Sequence, residues 1–424
     1  MIVSVERILL WVPMVDRVCA EMERAGIHTW SEVEVIRVST DRGASGWGET
    51  VQNYTWGRVD VDDRVIGRSP FDLYWDDSLG AGLQMAILDL AGKLAGVPAH
   101  RLLGEQVRTH CPVSFWDHDM SPELYVVEAR EAVRLGYTSL KIKARPWWDV
   151  YETIARISEA TPPWFSIDVD WNNFLIDAPT ALPVLTALES DFSKIKIFEG
   201  PISADDIDGN QRLRANLNTP IAHHYEEARQ GIVRTKGCDG YVIGGGISAI
   251  SRAGNFSGAA NMPFFLQMVG TGLTASLCLH LGAVLESARW PAVNVHELYE
   301  HNLLTSRIPV AGGYAAVPTT PGLGVEIDEG ALDRYRVEKA QVNLPRRVIC
   351  YRRSSGLTVY FPTTSHPGSS MWNYFVAGNQ PAYEQGVVTK LIEDDGSVEF
   401  QQLYKKVSTC PFLETLDTKS HARS

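Results

Sequence analysis

The sequence predicts an α/β barrel, with a small α+β segment ahead of it and a β-rich segment behind it. From Cys111 to about Tyr299, short β-prone runs alternate with helix-length amphipathic runs. Alternation of that kind implies a parallel sheet, and seven or eight repeats imply closure into a barrel. Charged marks end three successive β-prone runs: Lys141-Ile142-Lys143, Asp168-Val169-Asp170 and Glu199-Gly200-Pro201. They lie about 27 to 29 residues apart, the length of one strand plus one helix.

Taken in order, Val33 to Ser39 alternates like a strand, turns at Thr40-Asp41-Arg42-Gly43 and continues into Gly46-Trp47-Gly48-Glu49-Thr50. Leu83 to Leu94 has helical spacing and stops at Gly96 and Pro98. Within the barrel region, helices are expected at Glu123 to Arg134, Trp148 to Glu159, Ala181 to Leu188 and Ile207 to Ala215, each feeding the next strand. Near the end, Val348 to Arg352, Leu357 to Phe361, Gly386 to Ile392 and Val398 to Tyr404 read as strands. Glu393-Asp394-Asp395-Gly396 is expected as a hairpin between the last two, and the polar tail after Pro411 is expected to fray.

Of the 424 residues, 45% are hydrophobic and 21% charged, as in an ordinary globular chain. A net charge of −12 argues against nucleic acid or an anionic membrane as partner. The six cysteines show no CxxC spacing, so neither a zinc site nor a disulfide framework is expected. The opening residues lack a signal-peptide layout and no apolar run is long enough to span a bilayer. A cytoplasmic setting is expected.

Lys141 and Lys143 are two apart on a strand and project to one face. In a barrel, the ends of successive strands surround one mouth. Two lysines followed by Asp170 and Glu199 around that mouth suggest a base beside a divalent metal. Each lysine disfavours the other's charged form.

With these residues in view, the chain resembles the enolase superfamily, in its mandelate racemase and muconate lactonizing branches, from about residue 30 to 335. The marks are Thr40-Asp41-Arg42-Gly43, Gly46-Trp47-Gly48-Glu49-Thr50, Ala86-Ile87-Leu88-Asp89-Leu90-Ala91-Gly92-Lys93, Gly96-Val97-Pro98, Arg101-Leu102-Leu103-Gly104 and Pro321-Gly322-Leu323-Gly324-Val325. The resemblance implies a modified (β/α)7β TIM-type barrel with an α+β N-terminal capping domain and, outside the family pattern, a β-rich C-terminal extension. The expected division is residues 1–108 for the cap, 109–307 for the barrel, 308–340 for a segment returning to the cap, and 341–424 for the extension.

It also implies abstraction of a proton α to a carboxylate, giving an enediolate held by Mg²⁺. On that basis Lys143 is the base and Lys141 holds the substrate carboxylate, while Asp170 and Glu199 are metal ligands. Arg145, Asn172, Gln267 and His296 are candidate substrate contacts. The partner is a small carboxylic acid, and a homo-oligomer is expected from family habit.

Two departures stand out. The fifth barrel strand should end in an acidic residue but reads His223-His224-Tyr225-Glu226. His224 is therefore taken as the third ligand, which would open the site to metals other than Mg²⁺, and His223 as a candidate acid. A histidine acting only in proton transfer, or a weakly bound metal, stays open beside this. The sixth and seventh strands end in Gly244-Gly245-Gly246 and Gln267-Met268, with no base. One-base chemistry then fits best, most simply dehydration of a hydroxylated (sugar) acid by a hydro-lyase. An isomerase or cycloisomerase, a binding protein without turnover and a metal-free Schiff-base lyase remain as alternatives.

Overall fold

The computed structural model describes residues 1–54, 59–225, 235–339, 344–363, 370–410 and 413–416. Three antiparallel strands open it: β1 (Ile2–Trp11), β2 (Glu32–Thr40) and β3 (Ser45–Val51), with α1 (Asp16–Arg24) between the first two. Helix α2 (Ala81–Ala95) lies on this sheet, buried along nearly its whole length. Gly46 and Gly48 make that approach possible. A Cβ on them would meet Ala86 O at 2.2 Å and Gly82 O at 2.1 Å.

After α3 (His100–Leu103) come eight parallel strands: β4 (His110–Trp116), β5 (Ser139–Lys143), β6 (Ser166–Asp170), β7 (Ile195–Glu199), β8 (Ile221–His224), β9 (Gly240–Ile243), β10 (Phe264–Leu266) and β11 (Ala292–Val293). Pairing of β11 with β4 and a bridge from Gln267 to Val293 close the ring. The helices between strands are α4 (Pro122–Arg134), α5 (Val150–Ala160), α6 (Ala178–Asp191), α7 (Ile207–Asn216), α8 (Ile247–Ala259) and α9 (Gly272–Val284). Several start on side-chain caps, as Ser121, Asp149, Asp177 and Asp206 each accept a backbone N–H of the first turn. The expected helices all form, one to three residues longer or shifted at their ends.

The cap is stitched to the barrel by buried carboxylates. Glu49 accepts the backbone N–H groups of Thr271 and Thr274 at 2.7 and 2.8 Å, at the start of α9. Asp89 accepts from Trp47 N and Leu323 N at 2.8 and 2.7 Å, joining α2 to the segment that returns after the barrel. That segment forms β12 (Val310–Ala311) and β13 (Tyr314–Ala316), an antiparallel hairpin on the outer edge of β4, followed by α10 (Glu329–Tyr335).

His280 of α9 also belongs to this seam. Its Nε2 donates to Leu323 O at 3.0 Å and its Nδ1 accepts His100 N–H at 3.2 Å. Burial pushes its pKa down to about 4 from 6.5. A folded pKa below the unfolded one means full stability above about pH 6.5, lost as pH falls towards 4, because the unfolded chain takes up the proton first. We expect acid unfolding to begin in that window. His280→Gln should remove roughly 2 kcal/mol of the pH dependence, read from denaturant midpoints at pH 7 and 5. Equal slopes in both proteins would refute this.

The last segment departs from expectation. Strands β14 (Arg347–Arg352), β15 (Leu357–Pro362), β16 (Val388–Glu393) and β17 (Leu413–Leu416) make one antiparallel sheet in the order β16-β14-β15-β17. Helix α11 (Ser370–Val376) precedes β16. Val398 to Tyr404, expected as a strand, is part of helix α12 (Val398–Thr409), and Glu393 to Gly396 leads into that helix instead of turning a hairpin. Ser397 caps it by accepting Phe400 N–H at 3.0 Å, and Phe400 and Val407 pack beneath the sheet on Val348. The short alternation was the hydrophobic stripe of a helix. The tail after Pro411 does not simply fray, since Leu413–Leu416 pairs with β15; residues 417–424 lie outside the described part.

The opposite face of this sheet is buried against the barrel loops. Ile349, Tyr351, Val359 and Phe361 form one cluster with Trp147, Trp148 and Phe174. The extension therefore sits over the C-terminal ends of the barrel strands. No helix among the described residues is long and apolar enough to cross a membrane.

Candidate functional site

Four proposed site residues are the last residues of four consecutive strands: Lys143 of β5, Asp170 of β6, Glu199 of β7 and His224 of β8. Register sets Lys143 beside Asp170 and Asp170 beside Glu199. Parity then turns these side chains inward together. Lys143 Nζ pairs with Asp170 and donates to Asn172 Oδ1 at 3.3 Å. Lys141 Nζ pairs with Glu199, lies 3.4 Å from Asp170 Oδ2 and donates to Gln267 Oε1 at 2.5 Å.

The two lysines have opposite electrostatics. For Lys141, fully buried, burial pushes the pKa down but is outweighed by Glu199, Asp170 and Asp168, so the ammonium is held charged. For Lys143, burial with the repulsion of Lys141 and Arg145 wins over Asp170, and the pKa falls below the ordinary lysine value. Asp168 lies below Asp170 on the same face; burial and Glu199 raise its pKa well above the usual carboxylate range.

A cavity of about 310 Å³ opens over this cluster. Lys143, Arg145, Asn172, His224 and Gln267 reach its wall. Lys141 does not. It lies beneath the cavity floor, so its assignment as holder of the substrate carboxylate is corrected to a tie between Glu199, Asp170 and Gln267. Arg145 Nη1 donates to Asn172 Oδ1 at 2.7 Å, while its buried Nε has no hydrogen-bond partner. Asn172 takes a left-handed backbone, φ 45°, and donates its N–H to Asp170 Oδ1 at 2.9 Å. This turn aims its side chain back at Lys143 and Arg145.

Two other assignments are corrected. His223 faces the opposite side of β8, as adjacent residues on a strand must. Its Nε2 bonds Asn210 Oδ1 of α7 at 2.7 Å, and burial holds its pKa down at about 4. It does not enter the mouth and cannot serve as the acid there. His296 does not line the cavity either. Its Nε2 lies 3.5 Å from Glu297, which also accepts Tyr137 OH at 3.2 Å and pairs with Arg307.

Sequence reasoning missed His118, two residues beyond β4 and so on the parity of Trp116. It lines the cavity beside Trp30, with ring centroids 5.5 Å apart. Burial together with Lys143 and Arg145 holds it neutral. Asp119, which accepts Arg24 Nη2 at 2.8 Å and Trp148 Nε1 at 2.6 Å, was also missed. Of the cap residues, Trp30 lines the cavity, whereas Met14 and Met22 are core.

The residues meet part of what a divalent cation requires. Asp170 and Glu199 are buried neighbours, and neither Glu199 oxygen receives a hydrogen bond of good geometry. That is a donor pair suited to a hard cation. His224 Nε2 stands 3.4 Å from Glu199 Oε1. Among the described residues, however, no three His, Cys, Asp or Glu groups converge on one point. Register explains the gap: Glu199 pairs with Ala222, one side-chain period before His224, so His224 reaches in from the rim.

Comparison with known proteins agrees with this architecture. A family profile described as "Enolase C-terminal domain-like" matches residues 124–331. An arabinonate dehydratase of Saccharolobus solfataricus is 28% identical over 274 residues, covering 60% of this chain and 71% of that protein. A D-galactonate dehydratase of Xanthomonas oryzae pv. oryzae is 25% identical over 351 residues, covering 70% and 90%. The muconate cycloisomerase structure from Pseudomonas fluorescens shares the fold, with TM-score 0.64, 21% identity, and coverage of 80% of this chain and 99% of that one. Members of the superfamily use a divalent metal, usually Mg²⁺. With barrel, strand-end lysines and carboxylates, and family profile in agreement, the chain belongs to the enolase superfamily.

Proposed function

We propose that the chain is a hydro-lyase that removes the proton α to the carboxylate of a hydroxylated acid and expels the β-hydroxyl as water. One observation carries the reading: Lys143, with its pKa lowered, stands at the cavity floor beside the buried pair Asp170 and Glu199. The dehydratase names of the relatives support the reaction class and a hydroxylated-acid substrate.

In this reading Asp170 and Glu199 hold Mg²⁺ or a similar cation, with His224 as the third group. When bound, the cation offsets the second negative charge that develops as the α-proton leaves. Lys143 takes that proton. Arg145 and Gln267 orient the acid, and Asn172 holds Lys143 and Arg145 in place. Lys141 keeps the carboxylates in register. Past the sixth and seventh barrel strands stand Gly244-Gly245-Gly246 and Gln267, none of them a base, so racemisation through a second base from those strands is disfavoured. Protonated Lys143 then returns its proton to the departing hydroxyl on the same face. The C–H and C–O bonds break, a Cα–Cβ double bond forms, and the enol product ketonises to a 2-oxo acid. Cycloisomerisation of a related acid needs the same single base and is the second reading. A cytoplasmic, homo-oligomeric setting belongs to the same proposal.

The test is a panel of α,β-dihydroxy acids in D2O with and without EDTA, followed by NMR. We expect 2-oxo acid formation that EDTA abolishes and Mg²⁺ or Mn²⁺ restores. Unchanged turnover after complete metal removal, or a borohydride-trapped lysine adduct, would overturn the metal-assisted route.

A further inference from the structure

The cavity has three walls of different origin. The barrel supplies the polar floor, the cap supplies Ile27 and Trp30, and the C-terminal extension supplies Ile349, Met371 and Trp372. Trp372 lies over Arg145, 4.9 Å from guanidinium carbon to ring centroid, and edge-on to Phe174 and Trp147 at 4.7 and 6.1 Å. The extension is anchored on both sides. Thr389 Oγ1 donates to Trp147 O at 2.5 Å, Gly386 N donates to Asp149 Oδ2 at 2.6 Å, and Arg347 pairs with Glu23 of α1. It is a fixed part of the pocket.

The polar groups above the floor are largely engaged with one another. Arg24 and Asp119 are paired, and Asp119 also accepts the indole N–H groups of Trp147 and Trp148. Asn53 donates to Thr29 O and to Glu32. Asn172 Oδ1 already receives Lys143 and Arg145. Beside Met371 and Trp372, a row of substrate hydroxyls would lose water and find few partners. An apolar group would gain contact with aromatic and Met surfaces.

We propose that the C-terminal extension is the specificity wall of this pocket. Trp372 and Met371 pack against the end of the acid remote from its carboxylate, and that end is apolar, an alkyl or aryl group in place of a polyhydroxylated chain. The inference rests on the α-proton reading above and narrows its substrate class.

The test compares α,β-dihydroxy acids of equal length bearing methyl, propyl, phenyl or polyhydroxyl ends. Wild type should favour the alkyl and aryl acids by about tenfold or more in kcat/KM. Trp372→Ala should raise KM for those acids about tenfold with kcat within about threefold, and Met371→Ala should admit longer chains. Trp372→Phe keeps an aromatic ring against Phe174 and should retain most of the preference, which separates lost selectivity from lost folding. Preference for polyhydroxylated acids in wild type, or equal effects of Trp372→Ala on every acid, would overturn the proposal. If no acid is turned over with any divalent metal, the hydro-lyase reading fails. Calorimetric binding of the same acids then decides the wall separately: tighter binding of apolar acids, weakened by Trp372→Ala, supports it, and indifference refutes it.

Discussion

Replacing Lys143 by Met is expected to lower kcat by about 10²–10⁴-fold, the usual contribution of a positioned general base. The expectation rests on placement. Lys143 is the lysine of the pair that reaches the cavity, and its ammonium is disfavoured by burial and by Lys141 and Arg145. Met keeps the volume and the packing on Trp116 while removing the proton acceptor. The variant should also fail to exchange the α-proton of a bound acid in D2O, a readout that does not depend on completing the elimination. Turnover within tenfold of wild type, with intact folding by circular dichroism, would sink the base assignment.

The second large effect concerns stability. Lys141→Met is expected to cost about 3–5 kcal/mol, the range for breaking a buried ion pair by removing one partner. Lys141 is 0% exposed and sits among Asp168, Asp170 and Glu199, all buried. Lys143 still serves Asp170 after the change, but Glu199 loses its ammonium. Denaturant unfolding at neutral pH measures the loss. Mg²⁺ should restore part of it, since a ligand that binds only the folded state stabilises that state. A loss below about 1 kcal/mol would refute the view that the Lys141–Glu199 ion pair stabilises the fold. Indifference to Mg²⁺ would count against the carboxylate pair as a cation site.

Much of this was legible in the chain because its signals are local. Side-chain alternation placed Lys141 with Lys143 and Asp168 with Asp170, and the strand-helix interval brought β5, β6 and β7 to one mouth. Several motifs behind the family resemblance have a structural meaning: Gly46 and Gly48 admit α2, and Asp89 ties Trp47 to Leu323. Parity alone could have excluded His223 once His224 was turned inward. It could also have suggested His118, which continues the inward face of β4 past Trp116. Val398 to Tyr404 misled because seven residues of alternating apolar character fit a strand and a helix stripe equally well; Ser397 followed by Glu399 was the capping signal that should have decided it.

By itself, then, the sequence determined the barrel, the cluster of lysines and carboxylates, and the lack of a basic side chain just past the sixth and seventh strands. Each is written in spacing over a few residues or one strand-helix unit. Tertiary structure alone decided that Lys141 lies under the floor, that His224 reaches Glu199 from the rim, and that Trp372 roofs Arg145. Those contacts depend on barrel closure and on a second sheet folding back over the mouth. Residues such as Arg145 and Trp372, more than two hundred positions apart, share no local period that could announce their meeting.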